Sequence, residues 1–594
     1  MISRTAIGLA LLVAATAHAA PPEIRYTVDT VAGAAKHRVD VTMEIDAAPS
    51  PLDLSMPVWT PGSYERRDWG RNVSAVRLTD GEHGATTIHR TGPDSWRVEG
   101  QTSGATVTLA YRVFADQLAD DSSQIDLHHA NLLGTSIFLR AHGLDDRPHR
   151  VSFVVVKEAR IATALDGEGT QRSAPNYEAL VDAPIEIGGF TEGVTRAAGR
   201  SLSVVIDAID GREPVPRRLL DDLAAIAEAE ARMAGPPPFS RYLFILHLAD
   251  GPGRIVALEH RASSSVVVPR DALTGDDYQD LLYIAAHELF HAWNARLLRP
   301  AELVPIDFDH PRPSRALWIT EGLTEYFAHR AMLASHRWSE GEYLRHVAEE
   351  AARVELDATH ATLTLEEQAE LTWHNPDLAE GDPDVYYARG HLATLALDLF
   401  IRARSDGKHS LDEVVRALCE TAARAGGALP IDTDRLARAT AALLGSSSLS
   451  ATLAELEALA RRAGAPPLGD ALASVGLRLE VLRGPSRPSL GLVVEADRGQ
   501  LRIAAVMPDG AAARAGLKAG DRILTVDGAA PPPAWPEDQR TPVEGRITRL
   551  EAQRADRRLV VPVVLEDHPS IACRLVRVPG VSPSVKRLRD GWLR

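Results

Sequence analysis

Residues 281–298 read LLYIAAHELFHAWNARLL, and this stretch decides how the whole chain is read. It has the apolar content of a buried helix, broken by polar groups at His287, Glu288 and His291. On a helix, residues i and i+4 share a face, so His287 and His291 point the same way. Two imidazoles at that spacing can hold one Zn²⁺, with Glu288 beside them placed to reach water on the metal rather than the metal itself. Zinc lowers the pKa of such a water, and a carboxylate can take its proton as it attacks a carbonyl. Polar groups in the middle of an apolar helix are costly unless something satisfies them, and a metal would do so.

A structural zinc needs a fourth protein ligand, whereas a catalytic zinc needs a third and an open position. The downstream helix LWITEGLTEYF, from Leu317 to Phe327, offers Glu321 and Glu325, again at i and i+4. One can ligate while the other hydrogen-bonds a ligand imidazole and fixes its tautomer. Trp318, Tyr326 and Phe327 around them argue against a solvated surface helix.

Working outward, residues 23–197 read as β structure. Val39 to Ile45 and Thr106 to Val113 alternate, and Gly and Pro punctuate the stretch. Arg217 to Met233 then has helical periodicity and stops at Pro236-Pro237-Pro238. Tyr242 to Leu248 is a strand, Arg254 to Pro269 holds another extended stretch, and Tyr278 to about Ala473 is mostly helical. From near 478, short apolar runs alternate with Gly turns, with one short helix at Ala511 to Ala515.

The chain has 594 residues, room for three or four domains. Lys and Arg total 65 against 81 Asp and Glu, a formal charge of -16 that argues against nucleic acid or an anionic membrane as main partner. Arg4, the apolar run Ala6 to Ala17 and the site Ala17-His18-Ala19 make a secretory signal peptide, so a periplasmic or secreted chain is expected. Loss of that leader takes the charge from -16 to -17, because it removes Arg4. No later run is long enough to span a membrane. Two cysteines, Cys419 and Cys573, exclude a disulfide framework and read as small buried apolar residues.

These motifs resemble the glycyl aminopeptidase family of zinc peptidases, within the gluzincin group that also holds the leukotriene hydrolase type. HELFHAWNARLLRP, from His287 to Pro300, is similar to the family's HExxH-x-WN-x-(K/R) stretch ending in Pro, and WITEGLTEYF to its W-x-x-E-G-x-T-x-Y. The resemblance implies that Glu321 is the third zinc ligand and Glu325 a carboxylate behind the ligands. The 29 residues between His291 and Glu321 exceed the spacing in the leukotriene hydrolase relatives, so the match is by motif. VALEH, from Val256 to His260, resembles the family's edge motif and implies that Glu259 binds the substrate α-amine, although Val256 and Ala257 replace glycines. VYYARG, from Val385 to Gly390, implies that Tyr387, with Tyr386 as its neighbour, donates to the oxyanion. WTPGSYERRD, from Trp59 to Asp68, resembles the family's amino-terminal signature, and a turn and aromatic packing account for it without a catalytic role. Ser489-Leu490-Gly491-Leu492, Pro508 to Ala512 and Ala515 to Gly528 resemble a PDZ domain, with Leu490, Gly491 and Leu492 as its carboxylate loop.

The expectation is a multidomain α+β protein. It has a signal peptide over 1–19, a β-sandwich-like domain over 20–197 and a thermolysin-like, mainly helical zinc peptidase domain over 198–475. A PDZ domain follows over 476–568, with a tail over 569–594. The expected activity is an aminopeptidase releasing small N-terminal residues, Gly or Ala, with one Zn²⁺ per chain, peptide substrates and a peptide C-terminus as possible PDZ ligand. Two rivals stand beside it: an endopeptidase of the same fold, and a non-catalytic periplasmic peptide-binding protein working through the PDZ groove.

Overall fold

Val39, Val41, Met43 and Ile45 alternate with polar residues, so a strand built there buries one face. Arg38–Ile45 is that strand, and it pairs antiparallel with Val107–Phe114, setting Val41 opposite Tyr111 and Met43 opposite Leu109. Across the sheet the order is Gln171–Ala174, His149–Val154, Ile24–Asp29, Arg38–Ile45, Val107–Phe114 and Val73–Leu78. Two four-stranded sheets join it around one core that includes Tyr26, Leu109, Phe138 and Tyr177. The first domain is therefore β-rich, with three sheets where a simple sandwich has two. This computed structural model describes residues 21–594 apart from 80–85, 120, 209–212, 250–254, 276, 375–384, 484–486, 498–499, 507–509, 519, 532–545, 555–556 and 569–570. The expected leader and the Pro508-Asp509 turn lie outside the described residues.

A second sheet, of five strands, carries the peptidase domain. Its order is Thr191–Ala197, Arg200–Ala208, Arg241–Ala249, Ser263–Pro269 and Val256–Glu259. Arg200–Ala208 runs parallel to Arg241–Ala249, and the helix Arg217–Ala234 makes the crossover that parallel neighbours require. The boundary expected at 197 falls inside a hairpin of this sheet. Ala197 pairs with Arg200 across Ala198 and Gly199, both at positive φ, the conformation of a two-residue turn matched to strand twist. Val256–Glu259 closes the sheet as an antiparallel edge strand ending at Glu259.

The helices behind this sheet share one core. Helix Leu317–Ala334 crosses helix Val385–Arg404 at two glycines: a Cβ on Gly322 would lie 2.3 Å from the carbonyl carbon of Gly390. Only glycine permits this approach, which sets Glu321 and Tyr387 near each other on facing helices.

The last unit has its own core, including Leu490, Leu492, Ile503, Ile523 and Leu550. Its sheet order is Leu492–Asp497, Gln500–Val506, Arg522–Val526, Ile547–Arg554 and Arg557–Val564, with the short helix at Ala511–Arg514. The tail expected over 569–594 is instead built into the peptidase domain. Ile571–Arg577 pairs with Leu477–Arg483, and Leu477, Leu479, Cys573 and Leu575 pack on the peptidase core. Helix Pro583–Trp592 follows, and Trp592 is fully buried with its ring 5.6 Å from that of Tyr343. Burying that indole supplies the physical reason: an apolar group of this size is among the largest single contributions a helix can bring to a core. Among the described residues no helix is long and apolar enough to cross a membrane.

Candidate metal centre and active site

Helix Tyr278–Phe290 is buried on most sides because Leu281, Leu282, Ala285, Ala286, Leu289 and Phe290 line it. That packing drives His287 and Glu288 inward, with His291 at the helix end. His287 Nε2 and His291 Nε2 are 2.9 Å apart, and each lies 3.4 Å from Glu321 Oε2. Ligands at about 2.0–2.1 Å from a tetrahedral zinc sit roughly 3.3 Å from one another, so the three atoms fit one such ion. Among the described residues no fourth histidine, cysteine or carboxylate joins this group.

Other contacts set the lone pairs. His291 Nδ1 is 3.0 Å from the carbonyl oxygen of Asn294, an obligate acceptor, so Nδ1 carries the proton and Nε2 the lone pair. His287 Nδ1 lies 3.3 Å from Glu325 Oε1 on the other side of the pair, without hydrogen-bond geometry. Burial, then the charge of His291, pushes His287 down in pKa. Burial also works against a charge on His291, yet Glu321 and then Glu259 outweigh it and hold that ring up at about 9. Burial, then Glu350, raises Glu325 well above the usual carboxylate range. Two rings and a carboxylate competing for one positive charge is the electrostatics that a divalent cation satisfies.

Glu288 is buried beside the ligands, its charge adds to the rise at His291, and its main-chain carbonyl accepts from the Tyr242 hydroxyl at 3.0 Å. The Tyr387 ring is half-buried and 6.2 Å from the His287 ring, while Tyr386 is buried against it, their rings 4.6 Å apart. Glu259 is buried, with Oε1 3.5 Å from Arg296 Nη2; the same guanidinium nitrogen lies 3.6 Å from Asp182. Oε2 faces Gly62, where a Cβ would stand 2.3 Å away. Between them is a cavity of about 20 Å³, lined by Gly62, Tyr64, Glu259, Arg296 and Thr320 among others. In the last unit the Leu490 and Leu492 side chains are buried in the core, Gly491 has φ +69, and the Leu490 carbonyl accepts from the Ala512 amide at 2.9 Å. Leu492–Asp497 is an edge strand of its sheet.

A family model for the M61 N-terminal domain matches residues 25–189. The model for M61 glycyl aminopeptidase matches 280–393, the span that holds His287, Glu288, His291, Glu321 and Tyr387. Both of these models belong to the M61 glycyl aminopeptidase family. A PDZ model matches residues 502–531. The fold is similar along the whole chain to an aminopeptidase N family protein from Idiomarina loihiensis, with 23% identity, 96% of this chain and 100% of that chain covered, and a TM-score of 0.77. An M1 zinc metallopeptidase from Deinococcus radiodurans aligns at 17% identity over 75% of this chain and 94% of its own, with a TM-score of 0.43. Yeast LTA4 hydrolase in complex with bestatin aligns at 12% over 76% and 69%, with a TM-score of 0.46. No curated protein matches the chain.

Two residues of this candidate site escape a motif reading. Tyr64 comes from WTPGSY in the first domain, the segment read above as turn and packing only. Its hydroxyl donates to Glu321 Oε1 at 2.6 Å, leaving Oε2 to face the histidines. The first domain thus orients a candidate ligand of the second. Asn294 donates its amide to the carbonyls of Ile319 and Thr320 at 2.9 and 2.7 Å, tying the His287 helix to the Glu321 helix. Tyr64 lies in the segment WTPGSYERRD and Asn294 follows Trp293 in HELFHAWN, both quoted above, so the available signal was the motifs themselves.

Proposed function

We propose that this M61 peptidase is an aminopeptidase that releases small N-terminal residues, glycine and alanine, from peptides, with zinc held by His287, His291 and Glu321. Bound there, zinc supplies Lewis-acid and water-activating chemistry. Glu288 takes the proton of the attacking water and delivers it to the leaving amine. Tyr387 donates its hydroxyl to the oxyanion that forms at the attacked carbonyl. The Asn294 carbonyl holds the His291 imidazole in the ligating tautomer, Glu325 stands beside His287, and Tyr64 holds Glu321.

The observation that carries the exopeptidase reading is the position of Glu259. Its carboxylate lines the same small cavity as Tyr64, whose hydroxyl bonds Glu321. An α-ammonium seated on Glu259 therefore lies one residue's reach from the metal ligands. Arg296 pairs with Oε1, which leaves Oε2 for the amine.

A free peptide and its N-acetylated form separate this from endopeptidase action. Alanyl peptides should be cleaved and their acetylated forms left intact, because acetylation removes the cation that Glu259 receives. Equal cleavage of both would remove the amine-anchor role.

The edge strand Leu492–Asp497 and the loop at Leu490-Gly491-Leu492 support a peptide C-terminus as ligand of the PDZ-like unit, added as a strand. A peptide with a free C-terminal carboxylate should bind, and its C-terminal amide should bind roughly tenfold more weakly, the loss of one charge-assisted contact. Equal binding of the two would rule out carboxylate capture.

A further inference from the structure

The first domain and the peptidase sheet meet at a small apolar patch of Ala162, Phe190, Val205, Leu243 and Ile245. Residues two apart on a strand share a face. Along Arg200–Ala208 and Arg241–Ala249 the patch therefore continues into Asp207 and His247, which stand opposite each other in register. From the first domain, Glu186 on strand Ile185–Gly188 and His129, just ahead of strand Ala130–Leu132, close on them.

His129 Nδ1 lies 3.3 Å from Glu186 Oε1 and 3.2 Å from Asp207 Oδ2, and His247 Nδ1 lies 3.8 Å from Glu186 Oε2. These separations bracket the roughly 3.3 Å expected between ligands of one tetrahedral zinc. Glu186 is 0% and His247 1% exposed. Among the described residues, neither ring nitrogen of His247 and not Glu186 Oε2 has a hydrogen-bond partner. An imidazole sealed away with both nitrogens unsatisfied is costly, and a cation between it and the carboxylate removes that cost. Behind His129, Nε2 lies 3.2 Å from Gln124 Oε1, an acceptor that leaves Nδ1 with the lone pair. The Asp126 carboxylate accepts the His129 amide at 3.0 Å and fixes the backbone there.

We propose that His129, Glu186 and His247, with Asp207 beside His129, form a second metal site that takes a zinc-class divalent cation and pins the first domain to the peptidase sheet. Two imidazoles select such a cation over calcium or magnesium. Two carboxylates balance its charge. The three donors are buried at the junction of two domains, and Asp207 Oδ2 stands 3.2 Å from His129 Nδ1, so a cation there ties strands of both domains together.

Metal content tests this independently of catalysis. The full mature chain, loaded with zinc and desalted, should hold two zinc ions by inductively coupled plasma mass spectrometry. The His287→Ala/His291→Ala chain should keep one, and adding His247→Ala should bring it to none. X-ray absorption on the zinc of the double variant should show nitrogen and oxygen neighbours with imidazole scattering. One zinc in the wild type, or none in the His287→Ala/His291→Ala chain, would overturn the proposal. Those two measurements leave the second site unaltered, so the outcome does not depend on how the His247→Ala chain folds.

Discussion

The clusters around His287 and around His247 use the same donor types in opposite surroundings. His287, His291 and Glu321 sit on two helices, with the half-buried Tyr387 ring beside His287 and a small cavity next to Glu259. Glu186, His247 and Asp207 sit on strands from two domains, with His129 just ahead of strand Ala130–Leu132, all packed against an apolar patch. The first has a carboxylate, Glu288, that is not part of the ligand triangle. In the second each acid faces a histidine. In the two proposals above, the spare base distinguishes the reacting centre from the fastening.

The sharpest way to break this contrast is to remove the spare base. Glu288→Gln should lower kcat roughly 10²–10⁴-fold while zinc content stays at the wild-type value. Retention of most activity would mean that the His287 cluster is no more reactive than the buried one.

Tyr64→Phe should come next. It deletes the hydroxyl that orients Glu321 and keeps the ring. Zinc affinity at the His287 cluster should fall roughly 10–100-fold, as for other partners that hold a ligand, measured by competition with a chromophoric chelator. Unchanged affinity would show that the first domain merely lies against the active site.

A smaller effect concerns the charge that joins the two domains near Glu259. Burial works to raise the Asp182 pKa, but the charges of Arg296 and His260 overcome it and hold it down at about 2. The carboxylate's stabilisation is therefore fully present above about pH 4 and is lost as the pH falls through about 2. The drop from the ordinary 3.8 to about 2 corresponds to about 2 kcal/mol. Asp182→Asn should lower Tm at pH 7 and converge on the wild type near pH 2. Parallel melting curves at all pH values would place the interface charge elsewhere.

The contrast also explains what the sequence reveals. His287 and His291 are one helical turn apart, and Glu321 and Glu325 repeat that spacing, so local periodicity exposes them. His129, Glu186, Asp207 and His247 come together only through strand register and the packing of two sheets, which no local spacing encodes. Tyr64 reaches Glu321 across 257 residues for the same reason. The strand alternation around Val41 and Leu109 was legible because one face is buried. The limits of the domains were less so. The Ala198-Gly199 hairpin turn and the capped helix from Ser582 through Trp592 have local signatures, but only their tertiary partners show which core they serve.

That last connection has an architectural consequence. Arg483 and Ile571 are register partners in the ribbon Leu477–Arg483 and Ile571–Arg577. The PDZ-like unit therefore departs from the peptidase and returns to it at one point, as a pendant spliced into the tip of a hairpin. A tight turn could stand in its place without disturbing a single strand pair below it. Trp592, beyond the returning strand, locks the chain's end into the peptidase core and so closes the loop on which this unit hangs.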